Sequence, residues 1–280
     1  MVAQLTGAIV RAFLVATLLA TPSLVLPSVA TDTAQIVVII AILSGALIFV
    51  EYNSRTPSII EFRFAPPYNR LKFGFLAASV FILSMVARGK ASSSSVSTLL
   101  TDFSHFVGGA LDFPYSPVRL VLMVLPANSD PVLIETVRCA AAVSYAASLI
   151  MVICFALIVR IQGWPVRNSA FNVWVNLPLF DPTAGGDVVH RLNRDSGINV
   201  SLGFLLPFLL PAIAYALSGY FGRSSMFNQQ SLIWITNAWA FLPASMVMRG
   251  IATSRISELI RAKRRLAYAQ AESKDGLQTA

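Results

Sequence analysis

Apolar residues in this chain gather into six long blocks set apart by polar segments, without the alternation of a half-buried strand. The blocks run Ala12 to Ala30, Thr33 to Val50, Leu71 to Ala87, Cys139 to Val159, Ile198 to Leu217, and Leu232 to Met248. Each is long enough to cross a hydrocarbon core about 30 Å thick as a helix. None holds Asp, Glu, Lys, Arg or His at mid-depth. The pattern predicts an all-α, polytopic membrane helix bundle of about six transmembrane helices.

The segment from Arg88 to Arg138 breaks the rhythm, because it is too long for a simple connection. It opens on the run Ser92 to Ser95, expected to be flexible, and continues through Phe103, Phe106, Val107, Leu111 and Phe113. The apolar run Val118 to Leu125 is too short to span. The expectation is an interfacial or re-entrant element on the outer side.

Composition agrees with a lipid environment. The chain is 56% hydrophobic and only 12% charged, with a mean hydropathy of +0.69. Soluble domains carry about 25% charged residues. The net charge of +8 does not point to nucleic acid, since the basic residues cluster between and after the apolar blocks. Placing both termini in the cytoplasm puts sixteen of the 21 Lys and Arg residues inside. That satisfies the bias of short cytoplasmic loops toward Lys and Arg. The compact loops suggest a bacterial inner membrane. Residues 1–30 keep a second reading as a cleaved secretory signal, with Arg11, an apolar run and the small residues of Pro27 to Ala30. Thr31 starts outside in both cases.

Residues 1–250 are thus expected to form the transmembrane bundle, and 251–280 a cytoplasmic basic amphipathic helix with a polar, structureless tail from Ala271. In that helix Ile251, Ile256, Leu259, Ile260 and Leu266 form an apolar stripe, and Arg255, Arg261, Lys263, Arg264 and Arg265 fill the rest. Such a helix binds anionic headgroups at about 1 kcal/mol per basic residue near the surface. The same residues could meet an acidic partner. Trp164, Trp174, Tyr52 and Tyr68 are expected to anchor at the cytoplasmic headgroup level.

Within the spans, Pro207 and Pro211 lie on one face of the fifth block and predict a helix kink with freed carbonyls. Asn237, flanked by Trp234 and Trp239, is expected to make one interhelical hydrogen bond. The fourth block is rich in small residues from Ala140 to Ser148, which suits close helix contact.

Candidate chemistry is sparse. Cys139 and Cys154 lie about 22 Å apart along one helix and cannot pair. His105 and His190 fall on opposite sides of the membrane, and neither has a Cys or His at ligand spacing. Asp181, Asp187 and Asp195 flank His190 without a recognisable ligand pattern, so a solvated loop is expected. No catalytic arrangement, metal or cofactor is implied, and the sequence leans away from an enzyme without excluding one. Two functions fit. One is a non-catalytic accessory, scaffold or assembly subunit of a membrane complex, with the bilayer and other membrane subunits as partners. The alternative is a small-solute transporter or channel, which the charge-free spans weaken.

Overall fold

The computed structural model describes residues 2–278 except 28, 55–57, 91, 166–175, 179, 181–184 and 218–227. The described residues are all-helical, without a strand. Eight helices follow in order: α1 Val2–Val25, α2 Thr31–Asn53, α3 Tyr68–Gly89, α4 Ser95–Leu111, α5 Pro117–Met123, α6 Pro131–Ile161, α7 Val188–Leu217 and α8 Gln229–Gln278. Six of them, α1, α2, α3, α6, α7 and α8, are long and apolar enough to cross a membrane. The chain is a multi-pass membrane protein by that measure.

Most helix ends fall outside the apolar blocks, because backbone hydrogen bonding continues past the point where side chains stop being apolar. α6 begins eight residues before Cys139, where Asp130 accepts from the Val132 N–H at 2.9 Å and Pro131 occupies the first turn. α7 begins ten residues before Ile198. α1 starts at Val2 and ends at Val25, just before Pro27. The serine run expected to be flexible instead starts α4. The Ser94 hydroxyl accepts from the Ser97 N–H at 3.1 Å, and the Ser97 hydroxyl accepts from the Ser94 N–H at 2.8 Å. This is a capping box built from two serines.

The long antiparallel pair α7–α8 forms the spine. Its register is marked by Asp187 with Arg264, Val189 with Ser257, Ser196 with Gly250, and Pro207 with Trp239. Two glycines let the backbones meet. A Cβ on Gly203 would lie 2.6 Å from the Pro243 carbonyl oxygen, and one on Gly250 would lie 2.9 Å from that of Ser196. The buried face of α6 (Ala140 to Ser144, Ser148, Met151 and Phe155) packs against α8 of this pair. The Ser144 hydroxyl donates to Thr236 Oγ1 at 3.3 Å. The small-residue stretch is therefore used inside the protein. α1 and α2 form a peripheral hairpin, closely packed where Gly45 faces the Ala12 carbonyl. In α2, Ile36, Val38, Ile39, Ile40, Ile42, Leu43, Leu47 and Val50 are exposed to the surroundings.

The amphipathic helix expected after Met248 is present as a direct continuation of the sixth span, and the tail expected to be structureless from Ala271 is helical to Gln278. α8 is one helix of 50 residues, about 75 Å long at 1.5 Å per residue. The stripe of Ile251, Ile256 and Ile260 packs into the protein core. Helix formers such as Ala267, Ala269 and Ala271 carry the helix on to Gln278. From Arg261 to Glu272 every residue is exposed.

At the end of the bundle rich in Lys and Arg, here called the basic end, the α2–α3 connection folds into a clamped knot. The Glu51 carboxylate accepts from the backbone N–H groups of Ser58, Ile59 and Ile60 at 3.2 to 3.4 Å, and from the Ser58 hydroxyl. The Arg63 guanidinium donates to the carbonyls of Glu51 and Ser54. Burial holds its pKa below the usual arginine value, against the opposing charge of Glu51. Asn176 accepts from the Phe62 N–H with its carbonyl at 2.7 Å and from the Phe64 N–H with its side chain at 3.2 Å. These bonds hold Phe62 at φ 54°, a left-handed conformation rare for a bulky side chain.

Phe62, Tyr68, Phe155 and Trp164 form one aromatic cluster, with neighbouring ring centroids 4.5 to 5.6 Å apart. Tyr68 and Trp164, expected as headgroup anchors, are only 2% and 3% exposed and serve as core instead. The Trp164 polar atom does not have to reach water, since its indole N–H donates to the carbonyls of Ala65 and Pro66. Tyr52 is half-buried, 4.7 Å beneath the Arg11 guanidinium. Trp174 lies outside the described residues.

Candidate functional site

At the far end of the bundle, α4 lies against α3 and α6. Its contact face carries Ser97, Thr101, Ser104, His105 and Gly108, a polar and small stripe at helical spacing. Its other face exposes Val96, Leu99, Phe103 and Phe106. The lack of a side chain at Gly108 permits the approach, since a Cβ there would already touch Cys139 Sγ at 3.6 Å. One turn earlier, His105 is thereby brought to α6. Glu135, Arg138 and Cys139 lie on the facing stripe of α6, three and four residues apart.

The result is a cluster of three ligating side chains. His105 Nδ1 is 2.7 Å from Glu135 Oε1 and 3.7 Å from Cys139 Sγ. Cys139 Sγ is 3.4 Å from the same Glu135 oxygen. The other Glu135 oxygen, Oε2, is paired with Arg138 at 3.0 Å. Arg138 also faces Asp112 at 3.4 Å, and Asp112 pairs with Arg119 at 2.8 Å. A chain of alternating charges thus closes on the His105–Glu135 contact. His105, which has no Cys or His at ligand spacing in the sequence, thus meets two potential ligands in space. The partners are 30 and 34 residues away, beyond any local spacing rule, and only helix packing unites them.

The cluster lines an apolar cavity of about 460 Å³ between α3, α4, α6 and α8. Leu83, Ala87, Leu232 and Ile233 supply apolar wall. Lys90 stands at the rim and donates to the Thr136 hydroxyl. Cys139 is buried, whereas the His105 side chain is 49% exposed.

Thiol, imidazole and carboxylate together suggest either a nucleophile triad or a coordination site. In a triad, the nucleophile and the acid engage different imidazole nitrogens, so that a proton passes through the ring. Here both Cys139 and Glu135 approach Nδ1. That geometry does not serve a relay. It does place three donor atoms around one point, all within 4.8 Å of one another.

The residues singled out in the sequence are elsewhere. Pro211 removes the donor that would have bonded the Pro207 carbonyl, and the Trp239 indole N–H takes its place at 3.1 Å. The proline pair is thus tied to α8 by a bond from a neighbouring helix. Asn237 is fully buried, but its amide donates to Ile233 of its own helix at 2.8 Å, and among the described residues Oδ1 has no partner. Among the described residues the amide's bond is thus within its own helix rather than between helices. Of the basic stretch, Arg255 donates to the Trp164 carbonyl at 3.3 Å and pairs with Glu258 at 2.9 Å. Arg264 pairs with Asp187 at 2.7 Å, and its guanidinium holds that carboxyl below the usual range. Arg261, Lys263 and Arg265 are exposed. The acidic residues around His190 do not gather into a site: Asp187 meets Arg264, Asp195 meets Arg249, and Asp181 lies outside the described residues.

Compared with protein-family models, curated proteins and solved structures, the chain matches none of them.

Proposed function

We propose that this protein is a non-catalytic accessory, scaffold or assembly subunit of a larger membrane complex. The observation that carries this reading is the free end of α8. From Arg261 to Glu272 every residue is exposed, so this stretch buries little against the bundle beyond the Arg264–Asp187 ion pair. Isolated helices of that length are marginal in water. A partner that packs on Leu266 and Tyr268, both about two-thirds exposed, and neutralises Arg261, Lys263 and Arg265 supplies the missing contacts. The peripheral α2 adds a second apolar flank suited to a neighbouring subunit.

In this reading both termini are cytoplasmic, the membrane is a bacterial inner membrane, and the three free basic residues also meet anionic headgroups. The test is purification of the native protein in mild detergent. A stoichiometric partner is expected to co-migrate and to be lost on removal of residues 261–280, with the thermal midpoint of the bundle unchanged. A chain that runs alone, and moves a small solute when reconstituted in vesicles, contradicts the proposal and favours the transporter alternative. The cavity at the far end is the one observation that speaks for that alternative. The charge-free interiors of the spans speak against ion coupling.

A further inference from the structure

We propose that His105, Glu135 and Cys139 form a three-ligand site for a borderline-soft divalent transition metal of the zinc class, with a fourth coordination position open to the α3–α4–α6–α8 cavity. This inference is independent of the subunit reading above.

Geometry is the first support. Zinc bonds of 2.0–2.3 Å at tetrahedral angles place neighbouring donor atoms about 3.4–3.6 Å apart. The two contacts of Cys139 Sγ, at 3.7 and 3.4 Å, already match. Only the His105–Glu135 distance of 2.7 Å is too short. It must open by about 0.7 Å, and the half-exposed His105 side chain is free to turn.

Donor chemistry is the second. Thiolate and imidazole favour zinc and its neighbours over magnesium or calcium, which take oxygen ligands. On binding, the Cys139 thiol proton leaves to water, and an imidazole proton on Nδ1 moves to Nε2. Nδ1 and the sulfur are then free to donate. Thiolate and carboxylate together balance the ion's two charges. The nearby Arg138 is faced by Asp112, which it shares with the half-exposed Arg119, so the first shell of the occupied site is itself neutral.

Orientation is the third. Arg138 holds Glu135 Oε2 at 3.0 Å and leaves Oε1 for the metal, the kind of outer-shell pairing that fixes ligating carboxylates. Three protein donors and a position facing a cavity are the pattern of an open site, able to take water or a solute ligand. Closed structural sites use four protein ligands.

The test is titration of the metal-free, full-length protein in detergent with Co²⁺, followed by zinc competition. The wild type is expected to bind one equivalent and show a thiolate-to-cobalt charge-transfer band that zinc abolishes. C139S is expected to lose the band, and H105Q and E135Q to bind at least about tenfold more weakly. C154S is expected to behave as the wild type. If C139S does not fold, H105Q decides, since its side chain is half-exposed and its loss leaves no core cavity. Sub-stoichiometric binding by the wild type, a band that survives C139S, or wild-type affinity in H105Q overturns the site.

Discussion

Replacing Trp164 with alanine is expected to destabilise the protein by about 3–5 kcal/mol, the range for truncating a large buried aromatic side chain. Trp164 follows the end of α6, so the cost is set against water rather than lipid. Its ring touches Phe62, Tyr68 and Phe155. Its N–H satisfies two carbonyls of the α2–α3 connection. Its own carbonyl accepts from Arg255. Trp164→Phe separates the contributions: it keeps most of the packing and orphans the Ala65 and Pro66 carbonyls, at about 1–3 kcal/mol. The readout is the unfolding midpoint in mild detergent. A Trp164→Ala protein within about 1 kcal/mol of wild type would mean that the knot does not hold the basic end together.

Arg249→Met is expected to cost about 2–4 kcal/mol. Removing one member of a fully buried ion pair costs about 3–5 kcal/mol, because the other charge is stranded. The figure is reduced here because the Arg249 side chain is 21% exposed and solvent screens part of the interaction. Its guanidinium bridges Glu61 at 2.8 Å and Asp195 at 2.7 Å, and so ties the α2–α3 connection to both α7 and α8. The stranded Glu61 carboxylate is the larger part, since Glu61 is the less exposed of the two acids. Adding Glu61→Gln to Arg249→Met is therefore expected to recover part of the loss. A double mutant no better than Arg249→Met alone would place the cost in packing rather than charge.

The six spans were legible because lipid imposes a crude rule: about 20 apolar residues in a row, with charges outside. The small-residue stretch of α6 was legible because Ala and Ser side chains mark a face that permits close helix contact. What escaped were features that need a partner distant in sequence. Trp164 and Tyr68 have the composition of headgroup anchors, and nothing local distinguishes them from core. Only the fold of the α2–α3 connection over them does. The helix after Met248 was legible from its apolar stripe, but its packing was not: Ile256 and Ile260 meet the protein core rather than headgroups. The His105 cluster left one readable trace, the stripe Ser97, Thr101, Ser104, His105 and Gly108 in an otherwise apolar helix. That stripe marks a face turned toward protein, but says nothing of Glu135 or Cys139 opposite it.

A bundle of six crossings is proposed to return both termini to the side where Lys and Arg are concentrated. It is tested most directly by labelling Ser94→Cys and Ala267→Cys proteins in spheroplasts with a membrane-impermeant maleimide, using the wild type to correct for Cys139 and Cys154. Ser94 caps α4 at the far end and Ala267 lies on the exposed part of α8. The predicted result is labelling of Ser94→Cys in intact spheroplasts, and of Ala267→Cys only after permeabilisation. Labelling of both positions from the same side, or of Ala267→Cys alone in intact spheroplasts, would contradict it.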